Sequence, residues 1–404
     1  MKSDLFSNYK ILKAKRAIIA VSWRLLLTLL FVSLSYSVDA QSLYYPERGN
    51  WLAQQPAQSG LHATRLAEAV SFAQNHDNSV NRDLRIAILQ AFSREPYHEI
   101  VGPTRPRGNP SGVIIKNGYL VAQWGEPERV DMTFSVTKSF LSTVAGLAVD
   151  QGYIRSVNDR VANYVWDNTF DGNHNGSITW KHLLEQTSDW SGTLFGIHDW
   201  TDRPPREGTI DDWRRRTLHT PGTRYQYNDV RVNVLAYSLL HVLRKPLPMV
   251  LKDAIMDPIG ASSTWRWFGY EGSDVLVDGV MMQSVSGGGH HGGGIFINTL
   301  DMARFGLLMA RGGKWNGTQV VSSQWVSEMV QPSQVNPEYG YMWWTLKGRT
   351  TWAGVPDHVF YAAGFGGNYI IIDAVNDLVI VTRWLDNAAL GEFVSKVYAS
   401  FGSN

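Results

Sequence analysis

Apolar residues recur at helical spacing over residues 64–75, where Leu66, Ala69, Val70 and Ala73 share one face, and again over residues 83–92. Both stretches predict packing helices. A loop rich in Pro, Gly and Arg over residues 102–112 precedes a change of pattern. The runs 113–116 and 119–122 read as strands, and the Asn117-Gly118 pair between them supplies the positive φ angles of a two-residue hairpin turn. From residue 135 to about 149 apolar side chains fall on nearly every side, as in a helix at the centre of a protein, with Gly152 placed to cap it. The stretch from there to about residue 279 reads as helices and polar loops, including His182-Leu183-Leu184 and the run 230–243. A helix over 301–311 follows, then strands over 369–373 and 378–382 with a turn at Asn376-Asp377. Strands near both ends with helices between them predict an α+β fold, a sheet domain holding an inserted, mainly helical lobe.

Residues 1–40 depart from this pattern. Basic residues at Lys10, Lys13, Lys15 and Arg16 precede the apolar run 25–34 and then Val38-Asp39-Ala40, the order of an export signal with cleavage expected after Ala40. If retained, the segment would be a membrane tether, although Arg24 leaves the apolar run short of the roughly 20 residues that span a bilayer. The expected location is therefore periplasmic or secreted. The expected division is a signal over 1–40, the N-terminal part of the sheet domain over 41–134, the helical lobe over 135–285 and the rest of the sheet domain over 286–404.

Composition narrows the function classes. The 404 residues are 44% hydrophobic and 18% charged, which suits a folded protein. The 37 basic and 36 acidic residues nearly cancel, so the electrostatic footprint of a nucleic-acid binder is missing and a small-molecule substrate is expected. With no cysteine there can be no disulfide, iron–sulfur cluster, thiolate metal site or lipoprotein anchor.

The chemistry centres on Ser135-Val136-Thr137-Lys138 at the start of the apolar helix. Residues three apart share a helix face, so the lysine can reach the serine. A serine hydroxyl needs a base near neutral pH, and a desolvated lysine can supply one. The same spacing occurs at Ser7-Asn8-Tyr9-Lys10, so the surroundings must decide.

Phe134-Ser135-Val136-Thr137-Lys138-Ser139 resembles the nucleophile segment of class C β-lactamases, penicillin-binding proteins and their esterase and amidase relatives. Thr179-Trp180-Lys181-His182-Leu183-Leu184-Glu185-Gln186-Thr187-Ser188 is similar to the helix and loop bordering the cleft in that superfamily. Pro221-Gly222-Thr223-Arg224-Tyr225-Gln226-Tyr227-Asn228-Asp229 resembles the segment carrying its tyrosine. The resemblance covers roughly residues 113–382 and implies a β-lactamase/transpeptidase-like fold, an antiparallel sheet flanked by helices. It also implies that Ser135, Lys138 and Tyr227 are catalytic, that no cofactor or metal is needed, and that Asp229 stands where an asparagine is usual. A neighbouring ammonium is expected to lower the Tyr227 pKa from near 10 so that the phenol takes the serine proton.

The third motif of the superfamily aligns with Ala362-Ala363-Gly364. Gly364 is kept, and the N–H groups of Phe365 and Ser135 are expected to form the oxyanion hole. The usual lysine or histidine of that motif is replaced by Ala362. In this the chain is closer to the esterases and 6-aminohexanoate-dimer hydrolase-like amidases, which residues 287–297 also resemble. The expected reaction is acyl transfer from an ester or amide through Ser135. The alternatives are a β-lactamase or D-alanyl carboxypeptidase, and a non-catalytic binding or sensor protein that keeps the cleft.

Other signals are weighed against plainer readings. His290-His291 invites a metal, but neighbours on a strand point to opposite faces, and His291 is expected to line the pocket instead. Trp190, Trp343 and Trp344 are candidates for an aromatic cleft wall. Residues 171–176 imitate a calcium loop without its twelfth-position glutamate, Arg214-Arg215-Arg216 reads as a solvated face, and His182 as structural.

Overall fold

The helices and strands that build the site begin, in a computed structural model describing residues 43–347 and 352–402, with α1 (Ala63–Gln74) and α2 (Leu84–Phe92). The hairpin β1 (Ser111–Lys116) and β2 (Tyr119–Trp124) follows, then β3 (Asp131–Met132) and α3 (Val136–Asp150). Next come α4 (Trp180–Leu184), α5 (Asp229–Leu243), β4 (Arg266–Val277), β5 (Val280–Val285), β6 (Gly294–Ile297) and α6 (Thr299–Ala310). The chain closes with β7 (Trp344–Thr345), β8 (Phe360–Gly364), β9 (Asn368–Asp373), β10 (Leu378–Arg383) and α7 (Leu390–Tyr398). The export signal expected over 1–40 lies outside the described residues. Among the described residues no single helix is long and apolar enough to cross a membrane.

The main sheet is antiparallel with strand order β7-β8-β9-β10-β1-β2, so β10, near the end of the chain, hydrogen-bonds to β1 from its first third. Alternation sorts its side chains into two cores. Val113, Ile115, Phe360, Ala362, Ile370, Ile372, Val379 and Val381 join the large core that contains α3, α5 and α6. Ile114, Tyr361, Tyr369, Ile371 and Ile380 face the other way, onto Leu66 and Ala69 of α1 and Phe393, Val394 and Val397 of α7. Both faces are covered, which is why β9 and β10 are buried along their whole length. The β1–β2 turn has the expected geometry, with φ of 54° at Asn117 and 84° at Gly118.

A second sheet has the order β3-β6-β4-β5. Its longest strand, β4, corrects the sequence reading, which took the stretch from about residue 152 to about residue 279 as helices and polar loops. The twelve-residue β4 was missed because a register shift between Gly269 and Asp274 breaks its alternation. Pairing of Asp131 with Ile297 sets β3 against β6, and that pairing aims the chain from the small sheet into α3. Helix α3 is buried on all sides from Val136 to Ala148, as its pattern predicts.

Candidate active site

Ser135 stands where β3 gives way to α3. The residue before it, Phe134, has φ of 50°, a left-handed conformation that non-glycine residues rarely adopt. Packing holds it there: the Phe134 ring is buried and meets Phe365 edge-on at 5.1 Å. Ser135 itself is the N-cap of α3 and half-buried, so its hydroxyl sits at the positive end of a helix inside the protein. Lys138, one turn on, is 1% exposed. Its Nζ is 2.8 Å from Ser135 Oγ, 2.7 Å from Asp229 Oδ1 and 3.2 Å from the Gly287 carbonyl.

These three contacts define what the lysine can do. An ammonium has three N–H donors, and each has one acceptor. A neutral amine has two donors and a lone pair. Asp229 and the Gly287 carbonyl can only accept, so the lone pair of a neutral Lys138 must face Ser135 Oγ. Burial pushes the Lys138 pKa below its usual value, against the opposing charge of Asp229, and so favours that neutral form.

Tyr227 and Asp229 flank Asn228, the N-cap of α5. The Asn228 side chain accepts from Arg231 N at 3.0 Å and donates to the Asp199 carbonyl at 2.8 Å, which fixes the entry to the helix. Gln186 clamps the same segment, accepting from Asn228 N at 2.8 Å and donating to the Tyr339 hydroxyl at 3.0 Å. Tyr227 thereby reaches Ser135 and hydrogen-bonds to it, with Lys138 Nζ 5.1 Å from its ring centre. The expectation that its pKa is lowered fails. Burial, with the charge of Asp229, raises it, and this outweighs Arg203 and the hydrogen bond to Ser135. Tyr227 stays a phenol, whereas the Lys138 pKa is lowered.

Asp229 is the hub of a buried charge network. Its Oδ1 holds Lys138, and its Oδ2 is 2.8 Å from Arg203 Nη1 and 3.2 Å from His290 Nδ1. Burial alone would raise its pKa, but Arg203, Lys138 and His290 outweigh burial and hold the carboxyl well below the usual range. Arg203 also pairs with Asp202 at 2.6 Å, and His290 Nε2 with Glu95 Oε2 at 2.7 Å. Three basic side chains thus face three carboxylates. Sequence reading missed Arg203, Asp202, Glu95 and His290. The one local signal was Asp202-Arg203 ahead of Pro204-Pro205, whose carbonyls Arg94 grips at 2.9 and 3.0 Å.

His290 bridges two carboxylates, one at each ring nitrogen, which favours the imidazolium. Burial would lower its pKa, but Asp229, Glu95 and Asp202 together raise it to about 9. A folded pKa above the unfolded value of 6.5 adds stability that is complete below pH 6.5 and is lost as pH rises through about 9. The full contribution is on the order of 3 kcal/mol. Urea denaturation between about pH 6 and about pH 10 is expected to show this decline, and His290→Gln to flatten it.

Glu95, Asp202 and His290 bring ligand-type atoms within 4.8 Å of one another. The donors do not converge as a metal requires. Glu95 addresses Nε2 of the ring whereas Asp202 lies 4.0 Å from Nδ1, and Asp202 already holds Arg203 and the amide of Asp229. Proton and cation pairing accounts for the cluster.

The remaining expected residues divide. Gly364 ends β8 beside Ser135: an added Cβ would run into the Thr133 carbonyl and stand 3.3 Å from Ser135 N. Only glycine lets the strand approach so closely. Phe365 follows it, half-buried between Phe134 and Phe92, with its carbonyl accepting from Asn368 at 2.7 Å. His291 is not a pocket wall. It is fully buried, bonded through Nδ1 to the Glu99 carbonyl at 3.0 Å, and burial beside the charged His290 lowers its pKa to about 4. His290, its neighbour on the other face, is the histidine of the site. Trp190 is likewise a packing residue, 2% exposed, with its indole N–H given to the Thr169 carbonyl at 2.8 Å. Trp343 is buried in the core, while the half-buried Trp344 lies near-parallel to Tyr227 at 6.3 Å. Arg216 is not a solvated residue either, since it pairs with Asp189 at 2.8 Å and Asp199 at 2.7 Å. His182 is structural as expected, accepting from Thr179 N at 3.2 Å in a helix cap.

Comparison with known proteins fits this arrangement. The 6-aminohexanoate-dimer hydrolase of Paenarthrobacter ureafaciens is 24% identical over 312 residues, which is 68% of this chain and 72% of that protein. A family VIII carboxylesterase structure matches with a TM-score of 0.55 at 16% identity, over 86% of this chain and 99% of its own. EstCE1, described as a hydrolase with promiscuous acyltransferase activity, matches with a TM-score of 0.55 at 15% identity, over 84% and 98%. At such identities the structures establish the fold, a β-lactamase/transpeptidase-like α+β architecture. A sequence model of the beta-lactamase family matches residues 113–384, from β1 through Ser135, Lys138, Tyr227 and Gly364 to the end of β10, and the chain belongs to that family.

Proposed function

We propose that this protein hydrolyses an ester or amide through an acyl-enzyme on Ser135. The observation that carries the reading is the 2.8 Å contact between Lys138 Nζ and Ser135 Oγ, made by a lysine whose other two partners can only accept. Ser135 Oγ attacks the carbonyl carbon while its proton passes to neutral Lys138. The ammonium so formed is met by Asp229 at 2.7 Å, an interaction that strengthens as charge develops. The amides of Ser135 and Phe365 receive the oxyanion. Lys138 then returns the proton to the leaving group, with the Tyr227 hydroxyl as the neighbouring donor. Water releases the acyl group by the same path in reverse.

Substrate class is read from the third motif. Ala362 and Ala363 provide no cation for a carboxylate, which supports a simple ester or amide over a β-lactam or a D-alanyl peptide. The names of the family VIII carboxylesterase and of the 6-aminohexanoate-dimer hydrolase support the same reading. Export directed by residues 1–40 is part of the same proposal. A fluorophosphonate probe is expected to label Ser135, located by mass spectrometry, and a p-nitrophenyl ester to turn over much faster than a chromogenic cephalosporin. Faster cephalosporin turnover would reverse the substrate assignment, and an unlabelled Ser135 would favour a binding protein.

A further inference from the structure

Within the charge network around Asp229, solvent reaches Arg203. Its side chain is 31% exposed, whereas those of Lys138, Asp229, Asp202, His290 and Glu95 are all buried, at most 5% exposed. Its Nη1 serves both carboxylates, Asp202 at 2.6 Å and Asp229 at 2.8 Å. Among the described residues Nε and Nη2 have no acceptor, so one edge of the guanidinium is open. The backbone that presents it has φ of 50°, the left-handed conformation also found at Phe134, and Pro204-Pro205 follow. The two carboxylates and the grip of Arg94 on both proline carbonyls hold it there.

Its neighbours place Arg203 on the rim of the space around Ser135. The guanidinium lies 5.1 Å from the ring centre of Tyr227, whose hydroxyl bonds to Ser135, and 5.7 Å from that of Phe92. Phe92 lies 5.8 Å from Phe365, which follows the glycine packed against Ser135 N. Ser135, Tyr227, Arg203, Phe92 and Phe365 are all half-buried, a continuous and partly exposed ring of side chains.

We propose that Arg203 is a substrate-binding residue whose open edge donates to an uncharged oxygen of the substrate, a second carbonyl near the one attacked. The inference rests on the hydrolase reading above. The planar N–H pair fits an oxygen acceptor in direction as well as in charge. An isolated guanidinium would pair most strongly with a carboxylate, but Arg203 is not isolated. With Lys138 neutral, Arg203 and His290 face the three carboxylates of Asp229, Asp202 and Glu95. The network then carries one negative charge in excess, and an anionic substrate would add to it. A carbonyl oxygen adds no charge and satisfies the donors as the substrate covers them.

The test is a comparison of esters in the full chain. Methyl levulinate and methyl pentanoate differ by one ketone oxygen in the acyl half, and 3-oxobutyl acetate and butyl acetate by one in the alcohol half. In the wild type kcat/KM is expected to favour the keto ester of one pair at least tenfold, and in Arg203→Met that ratio is expected to fall to within about twofold of one. Losing the charge beside Asp229 affects all four esters alike, so the ratio reads the contact alone. Arg203→Lys, which keeps the charge but not the fork, is expected to retain part of the preference. A wild type that favours neither keto ester, or a preference that survives in Arg203→Met, would overturn the proposal. Monomethyl succinate puts a carboxylate in place of the acetyl group of methyl levulinate and is expected to react at least tenfold more slowly; faster turnover would overturn the choice of a neutral acceptor. If the wild type cleaves none of these esters, the hydrolase reading fails, and Arg203 is judged by phenylglyoxal labelling located by mass spectrometry. Labelling slowed by a keto ester but not by its counterpart without the ketone supports the contact, and equal rates overturn it.

Discussion

Replacing Ser135 by alanine is expected to remove turnover, by on the order of 10⁴- to 10⁶-fold in kcat, because the oxygen proposed to attack the carbonyl is gone. The fold should not suffer. Ser135 Oγ meets Lys138 at 2.8 Å and the Gly288 carbonyl only at 3.5 Å, and Lys138 keeps Asp229 and the Gly287 carbonyl when the hydroxyl is lost. Stability should therefore change by no more than about 1 kcal/mol. The paired measurements are ester turnover and a thermal melt. A variant that melts like the wild type but retains more than about one part in a thousand of the activity would exclude Ser135 as the nucleophile.

How much of this could be read from the chain follows from the range of each interaction. Ser135 and Lys138 are three apart on one helix, but Ser7 and Lys10 share that spacing, so the family resemblance made the choice and also supplied Tyr227 and Asp229 on either side of a helix cap. The β1–β2 hairpin was local. By contrast, the network around Asp229 joins Glu95 from the loop after α2, Asp202 and Arg203 from a loop in mid-chain, and His290 from a glycine-rich turn. No periodicity links such positions. The choice of His291 over His290 failed for a related reason, since alternation shows that the two point opposite ways but not which way is inward. The Tyr227 pKa was misjudged because the effect of a neighbouring ammonium was considered without that of burial or of a carboxylate beside it.

Asp229, which stands where the resemblance implies asparagine, gives the second large effect. In Asp229→Asn the shape and most hydrogen bonds persist, but Lys138, Arg203 and His290 lose their shared counter-ion. Removing one partner of a buried pair costs roughly 3–5 kcal/mol, and the amide, which still accepts hydrogen bonds, should hold the loss near the lower end. Urea denaturation at neutral pH measures it. Activity should change in a way that a purely structural role would not produce. The charge of Asp229 raises the Lys138 pKa, so its removal lowers that pKa further, and the neutral amine becomes available at lower pH. The acid limb of the kcat/KM profile is then expected to move to lower pH. The maximal rate should fall as well, by about 10- to 100-fold, because the ammonium formed during attack has lost the carboxylate that met it. An Asp229→Asn enzyme with an unmoved acid limb would show that Asp229 only fills space beside Lys138. A limb displaced to lower pH together with a slower maximum identifies the carboxylate as the counter-ion of the proton that leaves Ser135.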